Sequence, residues 1–145
     1  MVSWHDMNSQ RARLTDEDFR RLLAFRDGLR RFLRWSEEQA KAAGLTPSQH
    51  QLLLAIRGSE ASPSIGDIAE HLLLRHHSVV ELVDRAERAG LVARHLDEED
   101  QRVVRLGLTD LGAIKLGALS DAHLEELARE RSHFELLWEH LPVER

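Results

Sequence analysis

The 145-residue chain predicts a mainly α-helical fold with one small β-hairpin, and three observations predict it. Two short amphipathic patterns follow one another between Ile65 and Gly90 with only a tight connection between them. Two short apolar runs then flank a charged loop, in the manner of a hairpin. Long i, i+3, i+4, i+7 patterns occupy both ends of the chain.

From Thr15 the first long helix runs through Phe19, Leu22, Leu23, Phe25, Leu29, Phe32 and Leu33 to Gly44. Thr46-Pro47-Ser48-Gln49 restarts a helix, with Thr46 as cap, proline at the first position and Gln49 completing a capping box. Leu52, Leu53 and Ile56 give this second helix its buried side. Ser64 caps the next, Asp67 suits its positive first turn, and Ile68, Ala69 and Leu72 form its apolar face. Spacing restarts at Val79, Leu82, Val83 and Ala86 and ends at Gly90, a residue suited to a left-handed C-terminal cap. Residues 91–96 and 103–108 read as strands around Asp97-Glu98-Glu99-Asp100-Gln101-Arg102. Thr109 caps a last helical region carrying Leu111, Ile114, Leu119, Leu124, Leu127, Phe134, Leu137, Trp138 and Leu141, with a break expected near Ser132.

A short helix, a turn, a longer helix and a polar hairpin make a winged helix-turn-helix. The exposed face of the longer helix carries Arg75, His76, His77, Ser78, Glu81, Asp84, Arg85 and Arg88. Its N-terminal residues would meet base edges if it entered a major groove. Arg102 sits in the hairpin where a cation can enter the narrow, negative minor groove. A solvated helix face is the bland alternative, and the hairpin beside it weighs against that reading.

Ile68-Ala69-Glu70-His71-Leu72, Ser78-Val79, Leu82-Val83-Asp84-Arg85, Gly90-Leu91-Val92, Asp100-x-Arg102 and Leu108-Thr109-x-x-Gly112 occur in the order and spacing of one family. The segment resembles the MarR family of bacterial transcription regulators, and the resemblance extends less closely over nearly the whole chain. It implies a homodimer of winged-helix protomers on a near-palindromic double-stranded DNA operator, with recognition helices in successive major grooves and wings in flanking minor grooves. It implies a winged-helix core over about 46–110 and dimerisation helices over about 15–44 and 109–141, in a single domain spanning 1–145. Three positions depart from the family pattern. Leu73 stands where a glycine commonly makes the turn, and since a leucine with positive φ would be strained, either a different turn or an alignment shifted by a residue is expected. Arg75 stands where a small cap is usual, which moves the expected helix start a residue or two later and puts Ser78 near its first turn. Gln101 replaces the first of two arginines after the wing aspartate and leaves Arg102 as the wing contact.

Length and composition fit one soluble domain. No apolar run reaches the roughly 18 residues of a membrane helix, and residues 1–16 lack the apolar core of a signal peptide; a cytoplasmic protein is expected. The chain has no cysteine, which excludes disulfides, thiolate ligands and the oxidant sensing through cysteine known in some members of the family. The net charge of −5 opposes a broadly basic DNA footprint. Locally, residues 71–105 hold six arginines against seven acids. Glu81 with Arg85 and Asp84 with Arg88 have the i, i+4 spacing of helix ion pairs, and Asp100 can brace Arg102. Residues 1–44 carry +2 and residues 106–145 carry −4, which favours packing of the two ends within or between protomers.

Other chemistry finds less support. His76 and His77 point roughly 100° apart on a helix and make poor joint metal ligands. His123 with Glu126, and His133 with Glu130, share helix faces, and His71, His95 and His140 add to the histidine count, but no compact ligand repeat is present. A metal-responsive regulator is therefore the weaker alternative, and no metal or cofactor is assigned. There is no Gly-rich phosphate loop, GxSxG elbow or HExxH, so no enzyme is expected. The acidic wing keeps open a winged helix that binds proteins rather than DNA. By resemblance, a small effector that relieves repression would lodge where the dimerisation helices meet the winged-helix lobe, near Arg30, Arg31, Arg34 and Trp35 and the start of the second helix. A phenolic or carboxylate ligand suits arginine and tryptophan, against the alternative that these arginines are solvated or paired with Glu37 and Glu38. The DNA-facing candidates are Arg75, His76, His77, Ser78, Arg85 and Arg102.

Overall fold

The computed structural model describes residues 14–139, so the expectations for residues 1–13, His140 and Leu141 lie outside it. Its elements are α1 (Asp16–Ala42), α2 (Pro47–Gly58), α3 (Ile65–Leu72), α4 (His76–Arg88), β1 (Val92–Leu96), β2 (Val104–Leu108), α5 (Asp110–Arg129) and α6 (Arg131–Glu139). The break before α6 falls at Glu130, ahead of the position expected near Ser132.

Helix starts follow local chemistry. Thr46 accepts from the Gln49 amide (3.1 Å) while the Gln49 side chain accepts from the Thr46 amide (3.0 Å). Ser64 and Asp67 form the same reciprocal box at the start of α3, and Thr15 with Asp18 at the start of α1. An aspartate thus does the work usually assigned to glutamate at the third position.

Three helix ends share one cap, in which the chain turns left-handed and an amide bonds back to a helix carbonyl a turn and a half earlier. Gly44 (φ 78°) ends α1, with Leu45 N–H donating to Ala40 O. Gly90 (φ 75°) ends α4, with Leu91 N–H donating to Ala86 O. At the end of α3 the left-handed residue is Leu73 (φ 54°, ψ 43°), with Leu74 N–H donating to Ala69 O. The turn is the ordinary one, built with a leucine in a conformation that crowds its Cβ.

Residues 14–33 with 128–139 form one compact unit and residues 34–127 another. The second holds the main core. Leu52 and Leu53 of α2, Ile68 of α3, Val79 and Val83 of α4, Leu91 and Val92 at the start of the hairpin and Leu106 of β2 are fully buried. β1 and β2 pair antiparallel in the register Val92 to Leu108 and Leu96 to Val104. Ser64 bridges to Arg105, and Leu106 N–H donates to Pro63 O (2.9 Å), so the chain before α3 adds a short third edge to the hairpin. In the first unit, Phe25 meets Trp138 with ring centroids 6.4 Å apart, and His133 lies over Gly28.

Gly112, in the first turn of α5, is required by contact rather than by backbone angle. A Cβ there would stand far inside van der Waals contact of the carbonyl oxygen of Leu91, which also accepts from Thr109 N–H. Because the obstacle is backbone, Gly112→Ala is expected to lower stability by at least the upper part of the roughly 1–3 kcal/mol of core overpacking; urea unfolding would measure it. Leu73→Gly is expected to raise stability, because relief of about 1–2 kcal/mol of left-handed strain exceeds the roughly 0.4–1 kcal/mol of added chain entropy in the unfolded state. No gain in melting temperature would contradict this.

Candidate nucleic-acid interface

Helix α4 presents its polar face because its apolar face is committed to the core: Val79, Leu82, Val83 and Ala86 are all buried. It begins at His76 with Arg75 as N-cap, and Arg75 makes no side-chain cap. The later start expected from the arginine is therefore not found; the helix begins in place without a capping side chain, its apolar face being enough to hold it. Ser78 falls in the first turn, as expected.

Arg75, His76, His77 and Arg85 are exposed, and Ser78 is half-buried. These two arginines and Arg88 have no ion-pair partner among the described residues. The expected i, i+4 pairs Glu81 with Arg85 and Asp84 with Arg88 do not form. Instead, Arg94 of β1 reaches across to Asp84 (2.6 Å) and Glu87 (3.1 Å). The guanidinium is shielded, with 26 % of its side chain exposed, and spans two carboxylates one turn apart on one flank of α4. A tertiary donor with two acceptors displaces weak local pairs that water competes for. The consequence is that Arg88, expected to be paired, is exposed on the same helix as the other cations.

The wing is built from carboxylates. Asp97 accepts from the amides of Glu99 and Asp100 and from Arg105 Nε (3.1 Å). Arg105 also reaches Ser62 O (3.4 Å) and Asp67 (3.8 Å), fastening the hairpin to the start of α3. The amide of Asp100 and then Arg105 hold the Asp97 carboxyl below the usual carboxylate range. Asp100 grips Arg102 through Nε (3.0 Å) and a second nitrogen (3.2 Å), and these bonds with the Arg102 amide lower its pKa as well. Arg102 nevertheless keeps 90 % of its side chain exposed. The acidic loop therefore orients two arginines and shapes the hairpin; Glu98 and Glu99 remain exposed at its tip.

The candidate effector residues sit along α1. Arg30 pairs with Asp27 (3.0 Å) and Arg34 with Glu38 (3.6 Å), while Arg31 is exposed. Trp35 turns inward and meets the edge of His123 at 4.8 Å between centroids. His123 in turn packs at 4.8 Å on His50, a buried residue of α2 that nothing in its sequence pattern singles out. His123 Nδ1 lies 2.6 Å from Leu119 O, which only accepts, so this nitrogen carries the proton; in the neutral ring Nε2 then accepts from the Ser36 hydroxyl at 2.6 Å. His123 and His133 are thus engaged in packing, and among the described residues no three His, Asp or Glu side chains converge as metal ligands. No helix among them is long and apolar enough to cross a membrane.

This geometry defines a winged helix-turn-helix module whose longer helix exposes a polar, arginine-bearing face. Residues 43–103 match the model of the MarR family. The transcriptional repressor MdtR of Bacillus subtilis (strain 168) is 35 % identical over 78 residues, covering 54 % of this chain and 50 % of MdtR. The chain therefore spans about half the length of that relative in the match. The crystal structure of YusO from Bacillus subtilis superposes with a TM-score of 0.64 at 26 % identity, covering 88 % of this chain and 92 % of YusO. Two more distant structures show the same fold with ligands bound. One is a point mutant of MepR from S. aureus with an oligodeoxyribonucleotide (TM-score 0.63, 22 % identity, covering 82 % of each chain). The other is CouR from Rhodococcus jostii RHA1 with p-coumaroyl-CoA (TM-score 0.66, 21 % identity, covering 90 % of this chain and 85 % of CouR).

Burial, and second the charge of His123, lower the pKa of His50 from its ordinary 6.5. A histidine depressed in the folded state adds stability above its unfolded pKa, and this is lost as pH falls through the folded value. Melting temperature is therefore expected to decline below about pH 6.5, and His50→Gln to flatten that decline. An unchanged slope in the variant would remove His50 as its source.

Proposed function

We propose that this chain is a sequence-specific double-stranded DNA-binding transcription regulator, acting as a homodimer on a near-palindromic operator, without catalysis. The observation that carries it is the outward face of α4, where Arg75, His76, His77 and Arg85 are presented while Arg94 holds Asp84 and Glu87 to one flank. A net negative protein can bind DNA in this way if its cations face the groove and its acids are engaged elsewhere. Arg75, Ser78 and Arg85 are the proposed phosphate and groove contacts, His76 and His77 read base edges, and Arg102 enters the minor groove. The MepR complex with an oligodeoxyribonucleotide supports this use of the fold.

Dimerisation is supported by apolar side chains that the chain leaves uncovered. Phe19, Leu22, Leu23, Leu33 and Trp138 are half exposed or more, with Trp138 at 68 %. Side chains of this kind at such density mark a protein interface. We further propose repression relieved by a small ligand at Arg30, Arg31, Arg34 and Trp35. The half-buried indole of Trp35 is the best-supported contact, and the binding of p-coumaroyl-CoA by CouR supports a small-molecule effector on this fold. The exposed acids Glu98 and Glu99 favour, as the second reading, a module that binds a basic protein surface instead of DNA.

Selection from a random duplex pool is expected to enrich an inverted repeat with half-sites about one helical turn apart. Titration of that duplex across salt should give a slope about one unit shallower for Arg102→Ala than for wild type. No enrichment at low salt, with dimerisation retained in light scattering, would shift the assignment to the protein-binding module.

A further inference from the structure

We infer that Glu81 reads a cytosine in the major groove and so sets one base pair of each half-site. The inference rests on the DNA-binding reading above and names a specificity determinant within it.

Glu81 lies one helical turn after His77 and two turns before Arg88. At about 100° per residue it points roughly 150° away from the mean direction of the buried residues of α4, near the centre of the outward face. It is exposed and has no ion-pair partner among the described residues, although Arg85 stands at the i+4 position. Both other acids on α4 are engaged: Asp84 and Glu87 are held by Arg94. In the wing, Asp97 and Asp100 are likewise engaged by Arg105 and Arg102. Glu81 is therefore the one acid of the recognition helix left free among the described residues, in a cleft of about 360 Å³ that it shares with Ser48, Gln49, Ser78 and Arg85.

A free carboxylate at this place repels phosphate and weakens any sequence-blind docking of the helix. That cost is recovered only where the carboxylate meets a donor. An ionised carboxylate accepts hydrogen bonds and donates none. Of the base edges in the major groove, guanine offers only acceptors, N7 and O6, and thymine offers an acceptor and a methyl group. Adenine pairs its donor with the N7 acceptor. Cytosine offers the N4 amino donor, which glutamate satisfies. The neighbouring His77 and Arg85 supply the donors that acceptor-rich purine edges require, so the acid and the bases on this face ask for different letters.

The test compares wild type, Glu81→Gln and Glu81→Ala on the selected duplex and on all single-base-pair changes across one half-site, by fluorescence anisotropy at fixed salt. Wild type is expected to prefer C·G at one position by about 5-fold to 150-fold, the equivalent of roughly 1–3 kcal/mol for a base contact. Glu81→Gln should move the preference at that position to A·T, since an amide pairs with adenine N6 and N7. Glu81→Ala should lose discrimination there and keep it elsewhere. The exposure of Glu81 predicts unchanged melting temperatures for both variants. Two results overturn the inference: unaltered preferences at every position, or a uniform tightening on all duplexes, which would make Glu81 a repulsive charge alone. A wild-type protein that binds no duplex is a separate result, seen before any variant is read, and removes the DNA-binding reading together with this one.

Discussion

The carbonyl of Leu91 is the point on which the winged-helix unit turns. The residue is buried, its amide closes the C-terminal cap of α4, and its oxygen accepts from Thr109 N–H at 3.1 Å. Gly112 lies directly against that oxygen. The Thr109 hydroxyl adds a bond to Gly90 O while accepting from the Gly112 amide. Helix α4, the hairpin and the start of α5 are thus joined within a few residues. Backbone groups in the interior must be paired, so the direction in which α4 leaves the core is coupled to the position of the hairpin and of α5.

Charge is organised by the same joining. Because β1 follows α4 after one cap, Arg94 comes within reach of Asp84 and Glu87 and draws both to the wing side of the helix. Arg105, on the paired strand, does the corresponding work for Asp97 and the start of α3. A sum over residues 71–105 conceals this separation. What governs approach to a polyanion is the local field of the presented face. On α4 that face carries Arg75, Arg85 and Arg88 with Glu81 as the carboxylate left free among the described residues.

The second half of α1 meets α2 and α5 around a different chemistry. His50 and His123 are in ring contact, His123 is held by Leu119 O and Ser36, and Trp35 closes the edge of the ring. Burial, and then the neighbouring His123, disfavour charge on His50. The packing of α2, which helps bury α4, therefore contains a titratable contact in place of a purely apolar one.

Much of this was legible in the sequence because it is local. Thr46, Ser64 and Thr109 announce helix starts, Gly44 and Gly90 announce ends, and the apolar spacing of α2 to α4 and the two strands follows from periodicities of about 3.6 and 2. The winged helix-turn-helix and the polar outward face of α4 come from these signals alone, as does the grip of Asp100 on Arg102 two residues away. What tertiary structure decided involves residues distant in the chain. Nothing in the spacing of α4 shows that Arg94 would outcompete Arg85 and Arg88 for its acids, since that depends on the register of β1 and on the lower exposure of the cross-element pair. His50 reads as one more residue of an amphipathic helix until α5 brings His123 against it. Leu73 in a left-handed turn is opposed by its own propensity and is held there by the burial of α3 and α4 on either side, the strain of one residue set against two helices' worth of apolar contact.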